Sequence, residues 1–197
     1  GQVVLAGPNG FRNPQLIHDF WHLIEKYKVT FFAAVPTIYA TLLDQPMTDI
    51  DTSSLINCGC GAAPMPVSLI DNFARNTGAD IMEGYGMTET IAGASTHYVY
   101  GDRKVGSVGM RLPYHGIKIA KIDSTGKITN ECGVNEVGII FHSGISTFPG
   151  YKQEDANLGV WSGEWFNSGD MGRIDEEGYL WLVGRSKDLI IRGGHNI

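Results

Sequence analysis

The chain has 197 residues, 43% of them hydrophobic, and a formal net charge of −6. That length suits one large domain or two small ones with a sizeable core. The acidic balance, with no basic cluster, argues against a nucleic-acid partner, and no apolar run approaches the ~20 residues of a membrane-spanning helix. The three cysteines, Cys58, Cys60 and Cys132, are an odd number with no disulfide framework, which fits a reducing, cytoplasmic setting. No charged start leads into an apolar signal region. The chain begins at Gly1 without Met and stops just after a glycine pair, so it reads as an excised piece of a longer protein.

In chain order, Val3-Val4-Leu5 is a short strand candidate. Residues 14–28 place Leu16, Ile17, Phe20, Trp21, Leu23, Ile24 and Tyr27 at near-helical spacing, with Pro14 suited to the first turn. A buried strand is expected over 29–35, a short helix from Pro36 through Leu43, and a strand over 55–58. A helix over 66–76 is stopped by Gly78, and another strand covers 79–83. Strands alternating with helices argue an α/β unit with a parallel sheet and packed helices. In such sheets ligands sit beyond the carboxyl ends of strands. Both Gly59-Cys60-Gly61-Ala62-Ala63-Pro64 and the stretch 84–90 fall there.

After Tyr100 the texture changes. Residues 117–122 alternate apolar and polar, Asp123-Ser124-Thr125-Gly126 is a turn signal, and strands are expected over 137–142, 171–174 and 179–183. This pattern argues an antiparallel sheet or small barrel. The expected division is therefore 1–104 for an α/β nucleotide-binding part, 105–184 for a β-barrel-like part, and 185–197 for a hinge and the start of a truncated domain.

The most informative stretch is Gly84-Tyr85-Gly86-Met87-Thr88-Glu89-Thr90. Two glycines can bring backbone close to a ligand, a tyrosine can lie on a ring, and hydroxyls with a carboxylate follow at once. That combination suits a purine, phosphates and a divalent cation. Asp170, in Asn167-Ser168-Gly169-Asp170, reads by itself first as a turn residue. At a ligand site the same carboxylate would accept hydrogen bonds from two vicinal sugar hydroxyls. Arg185 reads either as a solvated loop cation or as a ribose or phosphate contact.

Other chemistries find less support. His18-Asp19-Phe20-Trp21-His22 spaces two histidines like a zinc-hydrolase helix, but its acid is the shorter Asp and no third ligand stands at a telling spacing. Cys58-x-Cys60 lacks a second Cys/His pair. Gly59-Cys60-Gly61 fails the dinucleotide fingerprint because Pro64 occupies the third glycine position. No serine sits in a G-x-S-x-G elbow.

Taken together, the motifs resemble those of the adenylate-forming superfamily, nearest in texture to the acyl-CoA synthetases. Val35-Pro36-Thr37, Gly61-Ala62-Ala63-Pro64, the 84–90 stretch, Gly106-Ser107-Val108-Gly109, Ser168-Gly169-Asp170 and Gly184-Arg185-Ser186-Lys187-Asp188 match in order. The resemblance spans nearly the whole chain. It implies a large α/β domain ending in a distorted β-barrel, then a hinge and a small mobile domain. It implies ATP, Mg²⁺ and coenzyme A as cosubstrates and cofactor, and activation of a carboxylic acid as its acyl-adenylate followed by transfer to CoA.

Residue by residue, the resemblance implies that Gly61, Ala62 and Ala63 line one face of the adenine and Tyr85 packs on the other. Glu83, Gly84 and Gly86 belong to the same nucleotide-binding stretch. Thr88 would touch phosphate, Glu89 would hold Mg²⁺, and Asp170 would take the ribose hydroxyls beside Arg185. Lys187 would lie at the hinge, and Gly193 and Gly194 near the pantetheine tunnel. Cys60, Gly61, Met87, Ile91, Ala92 and Gly93 are candidate acyl-pocket walls. They are small or apolar, which suits either a fatty or aryl acid or plain packing of the sheet end, and the absence of a cation among them disfavours a dicarboxylate. The family's phosphate loop belongs upstream of Gly1 and its catalytic lysine past Ile197, so the isolated chain is expected not to adenylate. Two alternatives remain open: an adenylation domain that loads a carrier protein, and a non-catalytic nucleotide-binding module.

Overall fold

The computed structural model describes residues 1–186 and the backbone of 191–192 and 195–196. The chain forms two compact units, Gly1–Glu83 and Gly84–Ile197. The division expected at 104/105 falls inside the second unit, where Ser95–Thr96 pairs antiparallel with Gly84–Tyr85 and Met110–Arg111 pairs antiparallel with Ser95–Thr96.

In the first unit, helix α1 (Pro14–Tyr27) starts where the Asn13 side chain accepts a hydrogen bond from the Gln15 amide at 3.0 Å, with Pro14 in the first turn. It buries Leu16, Phe20, Trp21 and Ile24 along one face and ends at Lys28 in a left-handed conformation. Strand β1 (Phe31–Ala34), helix α2 (Pro36–Leu43), strand β2 (Asn57–Cys60), helix α3 (Val67–Thr77) and strand β3 (Asp80–Tyr85) follow. The strands pair in parallel, Phe32 opposite Cys58 and Cys58 opposite Ile81. The core is aromatic: Phe20, Trp21, Phe32, Tyr39 and Phe73 lie with neighbouring ring centroids 4.9 to 6.2 Å apart. Their polar tips are satisfied, Trp21 Nε1 donating to the Leu42 carbonyl at 2.9 Å and the Tyr39 hydroxyl to the Gly59 carbonyl at 2.6 Å. The strand expected at residues 3–5 does not form. Val3 and Leu5 are 79% and 88% exposed, and among the described residues no strand edge pairs with them.

The second unit takes the last two residues of β3 and adds β4 (Ser95–Thr96), β5 (Met110–Arg111), β6 (His115–Ile122), β7 (Ile128–Glu131), β8 (Gly138–Gly144), β9 (Trp161–Ser162), β10 (Trp165–Ile174) and β11 (Leu180–Arg185). Among the described residues β11, β10, β8, β6 and β7 lie side by side in that order, all antiparallel, with β9 on β10. Strand β8 is apolar on both faces. Ile140 packs with Ile119 and Leu180, and Ile139 and Phe141 pack with Ala120. That accounts for a run of buried residues where a one-sided sheet would alternate.

The stretch 167–170 does not precede a strand, as its glycine and Asn suggested, but lies inside β10. Asn167 faces Phe141 and Met171 faces Ile139, so residues 168–170 bulge opposite Ile140 alone. Gly169 takes the positive φ this requires (74°), and Ser168 Oγ donates to the Ile140 carbonyl at 2.7 Å.

Candidate active site

The loop after β3 is built by its own side chains. A single helical turn, Thr88–Thr90, is fixed by fully buried Thr90. Its Oγ accepts from the Met87 amide and donates to the Met87 carbonyl, both at 3.1 Å. The Ala92 amide then reaches the Met87 carbonyl at 3.0 Å and the Ala94 amide the Tyr85 carbonyl at 2.8 Å, so the chain doubles back. A Cβ on Gly86 would lie 2.0 Å from the Ala92 carbonyl oxygen. The space at Gly86, expected to admit a ligand, is occupied by the protein's own returning backbone. Ile91 and Ala92 hold consecutive left-handed conformations, φ 51° and 73°. A β-branched residue there is strained, and such strain gathers at functional loops.

Glu89 and Thr88 diverge. Thr88 is exposed, whereas Glu89 is half-buried and accepts at Oε1 from the Tyr151 hydroxyl at 2.7 Å. The Phe148 amide anchors the Glu89 carbonyl at 2.8 Å. Burial and the bond to Glu89 push the Tyr151 phenol up to about 12, so it acts as a donor at neutral pH. Oε2 of Glu89 carries no hydrogen bond from the described residues.

Asp170 leaves the β10 bulge opposite Arg185 on β11. Its Oδ1 accepts from Arg185 Nε at 2.9 Å and its Oδ2 from the Tyr85 hydroxyl at 2.7 Å. Tyr85 is 9% exposed, its ring packed in the cluster of Ala94, Val108, Ile119, Ile140 and Leu180. Burial raises its phenol above the ordinary range, which keeps the proton in place. Behind Tyr85 stand two buried histidines. His142 Nε2 lies 3.5 Å from the Tyr85 hydroxyl, His115 Nε2 lies 2.9 Å from His142 Nδ1, and Ser146 Oγ lies 2.7 Å from His115 Nδ1. Burial, with His115 adjacent, drives His142 down to about 3.

A cavity of about 650 Å³ opens among Met87, Glu89, the 122–126 turn, Tyr151, residues 158–160, residues 166–169, Arg185 and Ser186. That volume is within the range of about 300–1,000 Å³ of ligand pockets. Its lining includes Glu89 and Arg185, the latter with a side chain 69% exposed. The donor set fits a nucleotide with Mg²⁺. A carboxylate has about four acceptor positions, and Asp170 uses two on Tyr85 and Arg185, leaving two for a vicinal diol. Mg²⁺ takes one or two carboxylates plus phosphate oxygens, and Glu89 supplies one with an oxygen unengaged.

Of the residues singled out from sequence, Tyr85, Asp170 and Arg185 form one bonded group, and Glu89 shares a cavity with Arg185. Gly84 pairs with Thr96 as part of a strand. Gly61, Ala62, Ala63 and Glu83 belong to the first unit. The three loop residues follow β2, Ala62 at φ 68°, and buried Glu83 accepts from the Met65 amide at 3.5 Å. Lys187, Gly193 and Gly194 lie outside the described residues. Tyr151, His115 and His142 carry no role in the sequence reading. Nothing local marks these three, since their partners lie 27 to 62 residues away.

Comparison with known proteins identifies the family. The family described as AMP-binding enzyme matches residues 1–152. A marinolic acid–CoA ligase of Pseudoalteromonas sp. (strain SANK 73390) is 57% identical over 197 residues, the whole of this chain and 30% of that protein. A long-chain-fatty-acid–CoA ligase of Bacillus subtilis (strain 168) is 35% identical over 89% of this chain and 31% of its own length. The solved structure of O-succinylbenzoate coenzyme A synthetase from Bacillus subtilis, in complex with ATP and magnesium ion, superimposes with a TM-score of 0.77 at 33% identity. It covers 92% of this chain and 37% of that one. The chain thus spans about a third of the length of the proteins it matches.

Proposed function

This chain belongs to the AMP-binding enzyme family, and from that premise we propose that it is the nucleotide-binding part of an ATP-dependent acid–CoA ligase. The carrying observation is the bonded group Tyr85–Asp170–Arg185, with Glu89 and Arg185 lining one cavity. In this reading Asp170 takes the two ribose hydroxyls, Arg185 orients that carboxylate and sits beside the sugar, and Thr88 donates to phosphate. Tyr85 fixes the Asp170 carboxylate and presents the rim of its ring to the base. Gly61, Ala62 and Ala63 supply backbone to the adenine. Glu83, Gly84 and Gly86 hold the chain that carries these groups, Lys187 serves as the hinge, and Gly193 and Gly194 face the pantetheine arm. Glu89 would hold Mg²⁺, which supplies cancellation of the triphosphate charge.

A carboxylate is already nucleophilic at neutral pH and needs no general base. It attacks the α-phosphorus, pyrophosphate leaves, and the CoA thiol then displaces AMP from the acyl group. The task of the protein is alignment of two anions and neutralisation of their repulsion. We propose a fatty or aryl acid as substrate. The relatives named for marinolic and long-chain fatty acids support it, as does Met87 on the cavity wall. Their names as CoA ligases favour free CoA over a carrier protein as acceptor. The three free cysteines suit a reducing cytoplasm; no helix among the described residues is long and apolar enough to cross a membrane.

The test is ATP–pyrophosphate exchange by the full-length protein over aliphatic and aryl acids, each repeated with CoA for thioester. Exchange with thioester formation is expected. Exchange without thioester would move the acceptor to a carrier protein, and nucleotide binding without exchange for any acid would leave a non-catalytic binding module.

A further inference from the structure

The polar chain behind Tyr85 has a direction. A neutral imidazole has one donor and one acceptor nitrogen, so the bonds through His115 and His142 must all point the same way. Asp170 chooses which way. If the Tyr85 proton pointed back at His142, the phenol oxygen would face a carboxylate oxygen 2.7 Å away with no hydrogen between them. The proton therefore points at Asp170, and the phenol oxygen is left to accept. The rest follows. His142 donates from Nε2 to Tyr85 and accepts at Nδ1 from His115 Nε2. His115 accepts at Nδ1 from the Ser146 hydroxyl. Both rings are buried, and the Tyr85 hydroxyl is the hydrogen-bond partner of His142 Nε2 among the described residues. The sheet sets this geometry: Ile117 of β6 faces His142 of β8, and His115 lies two residues along on the same face.

We propose that His142, oriented by His115, is a positioning residue for ribose recognition. By donating to the Tyr85 oxygen it reinforces the rotamer that donates to Asp170 Oδ2, so that the carboxylate presents its two remaining acceptor positions to the vicinal hydroxyls of a bound nucleotide. The inference rests on the nucleotide-site reading above and names a function for two buried histidines that lie outside the cavity. It also accounts for their burial: a hydrocarbon pair would fill the same space but leave the lone pair of the Tyr85 oxygen without the His142 donor.

The test compares AMP with 2′,3′-dideoxy-AMP by calorimetry on the full-length protein, unaltered and as His142→Leu and His142→Gln, with ATP–pyrophosphate exchange run alongside. The Gln amide keeps an N–H near the Nε2 position. Leu removes it. We expect His142→Leu to weaken AMP binding about five- to tenfold while changing dideoxy-AMP binding less than about twofold, and His142→Gln to recover most of the loss. Nitrogen chemical shifts of labelled histidine should show His142 protonated at Nε2. Equal weakening for both nucleotides, no recovery with Gln, or an Nδ1-protonated His142 would overturn the proposal, and His142→Gln retains the comparison if the Leu variant does not fold. Ribose-selective binding that follows this pattern without exchange would leave the relay standing and sink the ligase reading. Absence of AMP binding by the unaltered protein would remove both.

Discussion

The Tyr151 hydroxyl donates to Oε1 of Glu89 at 2.7 Å, joining the connection after β8 to the turn after β3 across 62 residues of sequence. A carboxylate that is to hold a cation is commonly aimed by such a partner, and loss of the partner costs about 10- to 100-fold in metal affinity or activity. Tyr151→Phe in the full-length protein should therefore raise the Mg²⁺ concentration for half-maximal pyrophosphate exchange by about tenfold, and Glu89→Gln should raise it further. A magnesium titration unchanged by Tyr151→Phe would remove Glu89 from that role.

Gly86→Ala should destabilise the second unit. Its new methyl group meets the Ala92 carbonyl, a backbone atom that cannot rotate away. The expected loss is on the order of 3 kcal/mol, read as a lower urea midpoint of unfolding. An unshifted midpoint would show that the loop can open at Ala92 without cost.

Acid should weaken the fold in a defined window. The folded state depresses His142 to about 3 from 6.5, chiefly by burial, and lowers His115 for the same reason. Between those values the unfolded chain binds more protons than the native one, so stability rises with pH. Stability is fully present above pH 6.5 and is lost as pH falls toward about 3. Urea midpoints measured through that window should fall with acid, and His142→Gln should flatten the slope. A slope unaffected by that substitution would place the acid sensitivity elsewhere.

Cys58 and Cys60 should be inert thiols. Burial pushes them up to about 12 and about 11, the latter with Glu83 adjacent, so the reactive thiolate is scarce at neutral pH. Timed alkylation followed by peptide mapping should label half-buried Cys132 first and the other two only on unfolding. Native Cys60 reacting as fast as Cys132 would contradict the packing of β2.

The isolated 197-residue chain should give no ATP-dependent thioester, since the matching relatives are about three times its length. Thioester formation by this piece alone would show that the chemistry needs nothing beyond it.

Local chemistry makes the helices and most strands legible in the sequence. Pro36 marks the start of α2 and Gly78 the stop of α3 because a fixed φ and a left-handed φ are properties of single residues. Residues 3–5 misled because a short apolar run suits a strand but does not supply its partner. The 167–170 stretch misled because glycine and Asn mark a bulge as readily as a turn. At the site, Tyr85, Glu89, Asp170 and Arg185 stood out by motif. His115 and His142 did not, since their meaning comes from cross-strand register, nor did Tyr151, whose partner is reached by a long connection. Gly86 was found for the wrong reason: the chain requires its missing side chain, and a ligand need not be invoked.

The bulge in β10 adds two residues, and two is the period of a strand. Trp165 before it and Met171 after it therefore pack against the same cluster of β8, as though nothing had been inserted. An odd insertion would have inverted every later position and exchanged the interior of the sheet for its exterior. Lengthening or shortening this loop in steps of two should leave the downstream half of β10 in phase, moving the carboxylate along the strand by about 7 Å per step. A single-residue change would turn it over. The strand thus carries a parity rule under which the reach of its acidic group can be altered while the packing beneath it stays the same.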